Sequence, residues 1–261
     1  MLERFRQAKQ REVKRLRDLE SAGRFPDPLP IDRPGFARAL QARAPGAVIA
    51  EFKPASPSRG MINPGLTPEL AGAAFRAGGA AAISVLTEED HFRSSLDNLA
   101  ALQPPGLPLL RKDFIIDPLQ VRHTAATPAS ALLIIVRMFA GRAKALKSVF
   151  NLCLELGLEP VVEVFDASDL EQAKDLGASL IQVNNRDLST LDVDLRTSRS
   201  LVTARADQEV WICASGISSR TQIEELSGLG FDAFLVGTSL MASPDPLQAL
   251  QGLTGLGETP C

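Results

Sequence analysis

Eight short apolar runs, the helix punctuation between them and the polar residues that close most of them predict an α/β chain folded as a (β/α)8 TIM barrel with an N-terminal helical extension. The runs are AVIAEF from Ala47, AAISVL from Ala81, LPLLRK from Leu107, ALLIIV from Ala131, EPVVEV from Glu159, SLIQVN from Ser179, VWICAS from Val210 and AFLVG from Ala233. Runs that are apolar throughout, rather than at every second position, read as parallel strands covered on both faces. Between them, Thr67-Pro68 and Asp117-Pro118 have the pattern of an N-cap followed by Pro in the first helical turn. Gly78, Gly157, Gly177 and Gly230 read as helix stops. An open doubly wound sheet is the alternative, but eight such units in roughly 200 residues without a GxGxxG phosphate turn fit a closed barrel better.

Residues 1–45 precede this rhythm. They read as a helix from Leu2 to Leu19 with charges on all faces, a proline-rich connector FPDPLPIDRP and a short helix FARALQARA. The whole chain, 1–261, is expected to form a single barrel domain carrying that extension. Its 45% hydrophobic and 23% charged content allows a large core and argues against disorder. A net charge of −3, from 28 basic and 31 acidic residues, makes a nucleic-acid partner unexpected. No run approaches the roughly 18 apolar residues of a membrane span, and the charged start is not a signal peptide. A cytoplasmic protein, without a membrane partner and monomeric, is therefore expected. Cys153, Cys213 and Cys261 form no CxxC pair and the two histidines are far apart, so neither a disulfide framework nor a zinc site is indicated. Cys153 and Cys213, set in apolar runs, read as core.

In a barrel of this kind the chemistry sits at the C-terminal ends of the strands. Glu51 and Lys53 close the first run, Ser84 lies in the second, Lys112 closes the third, Glu163 lies in the fifth, Asn184 and Arg186 follow the sixth and Ser215 follows the seventh. Glu51 and Lys53 are two apart, so both leave the strand on the same side. Any one of these charges could be a rim ion pair. Two lysines and two carboxylates converging at buried strand ends are costly unless paired or used, and such a cluster can tune groups for acid and base work. SGIS (Ser215 to Ser218) after the seventh run and GTS (Gly237 to Ser239) after the eighth are small residues where barrels commonly bind phosphate through backbone N–H groups. The substrate expected is a small phosphorylated molecule.

At these residues the sequence resembles the indole-3-glycerol phosphate synthase family, from about Phe36 to Leu250. EFKPASPSRG (Glu51 to Gly60) matches the family pattern ExKxxSPSxG, including Ser56 and Ser58. ISVLTEEDHF (Ile83 to Phe92), LLRKDFIIDP (Leu109 to Pro118), VVEV (Val161 to Val164), VNNRDL (Val183 to Leu188) and VGTSLM (Val236 to Met241) follow in order. The resemblance implies ring closure of 1-(2-carboxyphenylamino)-1-deoxyribulose 5-phosphate with loss of carbon dioxide and water, needing no organic cofactor and no metal. It implies Lys112 as general acid at the carbonyl and Lys53 on a substrate anion. Glu163 and Glu51 are implied as proton-handling carboxylates, and Asn184 as an orienting group. Phe92, Phe114 and Leu133 are implied as the apolar slot for the aromatic ring. Lys53, Ser56, Gly216, Gly237, Thr238 and Ser239 are implied at the phosphate, with Ser84 and Arg186 in support.

The chain departs from the family pattern at Ala214, where ESGI is usual and ASGI stands here. Losing that carboxylate should lower the pKa of a neighbouring lysine. Arg93 stands where glycine is usual, Pro128 where AAG is usual, and Arg137 follows the fourth run, read as a rim or solvent residue. Two rival readings exist. A phosphoribosylanthranilate isomerase or related sugar-phosphate isomerase explains the phosphate loops but not ExKxxSPSxG or RKDF. A catalytically silent homologue that binds phosphorylated metabolites or scaffolds a pathway partner has only Ala214 in its favour.

Overall fold

The computed structural model describes residues 2–57, 60–187 and 190–256. Ser58 and Leu188 of the motifs above, and Cys261, lie outside the described residues. At the centre are eight parallel strands: β1 Ala47–Phe52, β2 Ala82–Leu86, β3 Leu109–Lys112, β4 Ala131–Ile135, β5 Glu159–Val164, β6 Leu180–Asn184, β7 Val210–Ala214 and β8 Ala233–Val236. Each pairs with its sequence neighbours, and β1 pairs with both β2 and β8, so the sheet closes into a TIM barrel. Closure leaves this sheet without a free edge.

The helices are α1 Leu2–Ser21, α2 Phe36–Gln41, α3 Pro68–Ala77, α4 Asn98–Ala101, α5 Pro118–Ala125, α6 Ala143–Glu155, α7 Ala167–Asp175, α8 Arg196–Leu201, α9 Arg220–Gly228, α10 Thr238–Met241 and α11 Pro246–Thr254. The start signals read from sequence act as N-caps. The Thr67 side chain accepts a hydrogen bond from the Leu70 N–H, and Asp117 accepts one from Leu119. Gly78 is the C-cap of α3, as expected; it is right-handed, with φ −77°, and the left-handed turn falls on Gly79 at φ +86°. Gly78 also serves packing, because a Cβ there would lie 2.8 Å from Leu250 Cδ2.

Strand ends are trimmed relative to the apolar runs, for local reasons. Pro108 has no N–H for the ladder, so β3 begins after it. Val136 opens a 3-10 turn, Val136–Phe139, and Ser215 leaves β7 with φ +69°. A two-stranded antiparallel hairpin, Ala55–Ser56 with Gly60–Met61, was not foreseen within the loop after β1. At the opposite end of the barrel, both carboxylate oxygens of Glu159 accept from the backbone N–H groups of Phe36 and Ala37, pinning α2 beneath the strands. Cys153 and Cys213 are buried free thiols, and burial pushes the Cys153 thiol up to about 12.

α1 buries a stripe of Phe5, Ala8, Lys9, Val13 and Leu16, at helical spacing, and packs against α5. A lysine inside that stripe has to be paired. Lys9 lies 2.6 Å from Asp113 and 2.7 Å from Glu12, while Arg111 reaches Glu12 and Asp113 at 2.9 Å each. This buried four-membered network fastens α1 to the end of β3.

Candidate active site

A cavity of about 620 Å3 opens at the C-terminal ends of the strands. Every site residue expected from sequence lines it except Ser84. Ser84 is the register partner of Glu51 and faces the barrel interior, but it is fully buried and its hydroxyl has no hydrogen-bond partner among the described residues. It is not among the residues that line the cavity.

The two oxygens of Glu51 divide between the lysines. Oε2 accepts from Lys112 Nζ at 2.6 Å and Oε1 lies 3.0 Å from Lys53 Nζ, which also donates to Thr238 Oγ1 at 2.9 Å. Burial alone would raise the Glu51 carboxyl, but the two ammonium groups more than reverse this and hold it at about 2. Burial would likewise lower Lys112, yet Glu51 and Glu163 keep it above its ordinary 10.5. Lys112 is thus a firmly protonated donor. For Glu163 burial wins: Lys112 and the amides of Gln182 and Asn184 offset it only in part, and the carboxyl stands above its ordinary 4.5. The site therefore holds a permanent carboxylate next to a carboxyl displaced toward its neutral form, an arrangement suited to proton transfer.

Asn184 Oδ1 accepts from the Arg186 N–H at 3.0 Å and the Ser215 hydroxyl at 2.9 Å, which ties the end of β6 to the turn after β7. Its neighbour Asn185 points away from the cavity and donates to the carbonyls of Ala214 and Ser215. Gly237 has a reason beyond an open anion site: a Cβ there would lie 2.3 Å from Glu51 Oε1, so the glycine makes room for the carboxylate. Ser215 and Gly216 are both left-handed, at φ +69° and +87°.

The aromatic wall contains a residue that sequence reading missed. Phe5, from α1, stacks on Phe114 at 4.0 Å between centroids and lies 6.2 Å from Phe92, with Leu133 on the same cavity. Nothing local to Phe5 signals this role. Leu235 and Ile135, also on the wall, were legible: each lies on an inner-facing position of its strand.

Residues 2–253 match the family model described as indole-3-glycerol phosphate synthase. This chain belongs to the indole-3-glycerol phosphate synthase family. Among its relatives, the indole-3-glycerol phosphate synthase of Desulfosudis oleivorans is 43% identical over 217 residues, covering 83% of this chain and 82% of its own. That of Aquifex aeolicus is 43% identical over 211 residues, covering 80% and 81%. Among solved structures, the N-acetylmannosamine-6-phosphate 2-epimerase of Clostridium perfringens has a TM-score of 0.60 at 15% identity, over 87% of this chain and 98% of that one, and shares the barrel alone. Indole-3-glycerol phosphate synthases are carboxy-lyases of tryptophan biosynthesis acting on a phosphorylated small molecule. The isomerase reading is set aside.

The departures from the indole-3-glycerol phosphate synthase pattern have definite places. Ala214 is the register partner of both Asn184 and Leu235, so its methyl faces the barrel interior next to the site. Lys112 remains raised without a carboxylate there, because Glu51 and Glu163 suffice. Arg93 has φ +49°, which explains why glycine suits that position. Pro128 is buried in the turn before β4. Arg137 sits at the rim, bonded to Asp166 and Asp169 and 4.6 Å over the Phe165 ring. Among the described residues no helix is long and apolar enough to cross a membrane.

Proposed function

We propose that this chain converts 1-(2-carboxyphenylamino)-1-deoxyribulose 5-phosphate to indole-3-glycerol phosphate, carbon dioxide and water, and does so without a carboxylate at position 214. The observation that carries this reading is Lys112, a protonated ammonium 2.6 Å from Glu51 on a cavity with aromatic walls. Lys112 protonates the ribulose carbonyl oxygen as the aromatic ring carbon bearing the carboxylate attacks the carbonyl carbon. The new carbon–carbon bond forms, carbon dioxide leaves and aromaticity returns. Loss of the resulting hydroxyl as water, with a proton from the adjacent carbon, then completes the indole.

Glu163, displaced toward its neutral form, handles the proton of the dehydration, and Glu51 keeps Lys112 charged. Lys53 holds the substrate carboxylate or phosphate and assists the departure of the hydroxyl. Asn184 orients the substrate. Phe92, Phe114 and Leu133 exclude water from the ring slot, which strengthens every charge interaction inside it. Ser56, Ser215, Gly216, Gly237, Thr238 and Ser239 cradle the phosphate, while Arg186 supports the charged groups. The chain works as one barrel domain, a cytoplasmic monomer, with no cofactor, metal or nucleic-acid partner.

The decisive experiment incubates the purified protein with the carboxyphenylamino-deoxyribulose phosphate and follows indole fluorescence. Turnover is expected. No signal at high enzyme concentration, together with measurable binding of the same compound, would replace this reading by that of a silent binding homologue.

A further inference from the structure

Gln182 lies on β6 two residues before Asn184, so its side chain shares the inner face of the barrel. It is fully buried, and it is the register partner of Glu163 on β5 and of Ile212 on β7. Its Nε2 donates to Glu163 Oε2 at 2.5 Å, while its Oε1 is buried with no hydrogen-bond partner among the described residues. A buried amide with an unpaired oxygen is costlier at such a position than an aliphatic side chain of similar size. Gln182 is absent from the cavity wall, so substrate contact does not account for it.

We propose that Gln182 is a positioning residue for Glu163, aiming its carboxyl into the site and pairing with it in both of its protonation states. A primary amide carries a donor and an acceptor on one rotatable group. Nε2–H donates to the carboxylate. After a half-turn of the amide, Oε1, now unpartnered, accepts from the carboxylic acid O–H. A group that must take up and release a proton thereby keeps a partner throughout, and the proton itself stays on Glu163 or passes to substrate. The other groups acting on Glu163 are Lys112 from β3, Glu51 from β1 and Asn184 from β6. Its register partners on the two neighbouring strands, Ile135 of β4 and Gln182 of β6, carry no charge. Burial raises Glu163 and the Gln182 donor works against that rise, so removing the donor should raise it further.

This inference rests on Glu163 having the proton-handling role assigned above. Gln182→Met keeps the length and removes both hydrogen-bonding atoms. The expected result is that kcat at neutral pH falls about tenfold, the acidic limb of the kcat profile moves up by about one pH unit, and KM stays within about twofold. An unchanged pH profile overturns the proposal, whether activity is unaltered or falls together with thermal stability. Should the variant fail to fold, the unaltered protein still provides a test. The side-chain amide resonances of Gln182 should titrate with the same midpoint as the Glu163 carboxyl, and amide signals that ignore that titration overturn the pairing. The amide titration needs no turnover, so failure of the proposed activity and failure of the Gln182 pairing are separately visible.

Discussion

Arg111, Lys112 and Asp113 are consecutive at the end of β3, and the alternation of a strand sends them to opposite faces, where two clusters of similar composition have different uses. Outward, Arg111 and Asp113 meet Lys9 and Glu12 of α1; inward, Lys112 meets Glu51, Lys53 and Glu163. Each cluster contains two cations and two carboxyls. The outward one is saturated. Asp113 accepts from Lys9, Arg111, Thr87 and the Phe114 N–H, and Arg111 also donates to Thr124 and to the Gln120 carbonyl. Burial opposes each of its charges, yet the partners prevail in every case: Lys9 and Arg111 are raised, Glu12 and Asp113 lowered. In the inward cluster Glu163 moves the other way, and both lysines border open space. Charge at a strand end does not by itself distinguish an anchor from a catalytic group; incomplete pairing next to a cavity does.

The largest expected effect separates the two clusters. Lys112→Met should lower kcat by about 10³-fold or more while inorganic phosphate binding changes little, because the acid goes and the anion site stays. Turnover at the normal rate would show that Lys112 is not the acid. Asp113→Asn should instead cost about 3–5 kcal/mol of stability, measured by urea unfolding, since it leaves Lys9 and Arg111 under-compensated in the interior. Its acid dependence has a definite sign. The depressed carboxyl of Asp113 stabilises the fold above its ordinary 3.8 and that contribution fades as pH falls below it, so the variant should lose less stability in acid than the unaltered chain. If Asp113→Asn is as stable as the parent, the outward cluster is no anchor.

Smaller effects sharpen the inward cluster. Glu51→Gln removes the carboxylate that keeps Lys112 raised against burial, so the basic limb of the rate profile should move to lower pH and kcat should fall about 10²-fold. Ala214→Glu adds a carboxylate on the inner face next to Asn184 and should move the basic limb the opposite way, with a change of about threefold in kcat/KM. An unmoved profile for Ala214→Glu means that the departure from the family pattern is irrelevant to the chemistry here. Phe5→Ala should be mildest, raising KM about twofold with little change in kcat, in keeping with loss of one stacked ring.

Much of the fold was readable because its signals are local. Apolar runs, Thr67 and Asp117 as N-caps, and polar residues at strand ends are each decided within a few residues. The glycine stops were read at the right locations, but the close approach of Leu250 to Gly78 comes from a helix far along the chain and has no local signal. A strand pattern puts Ser84 on the inner face but does not give its depth along the barrel axis. Phe5 and Gln182 went unnoticed for a common reason: an aromatic residue in a charged helix and an amide in an apolar run acquire their roles only from what they meet.

By itself, the sequence determined the eight strands, the end of the barrel that carries chemistry and the motif residues gathered there, because periodicity, capping and the two-residue repeat of a strand are short-range properties. Only the tertiary structure decided that Glu51 is shared by two lysines, that α1 is fastened to β3 through partners 99 residues apart, and that Glu163 is displaced toward its neutral form. Those outcomes depend on distance and burial, and both are set by closure of the barrel.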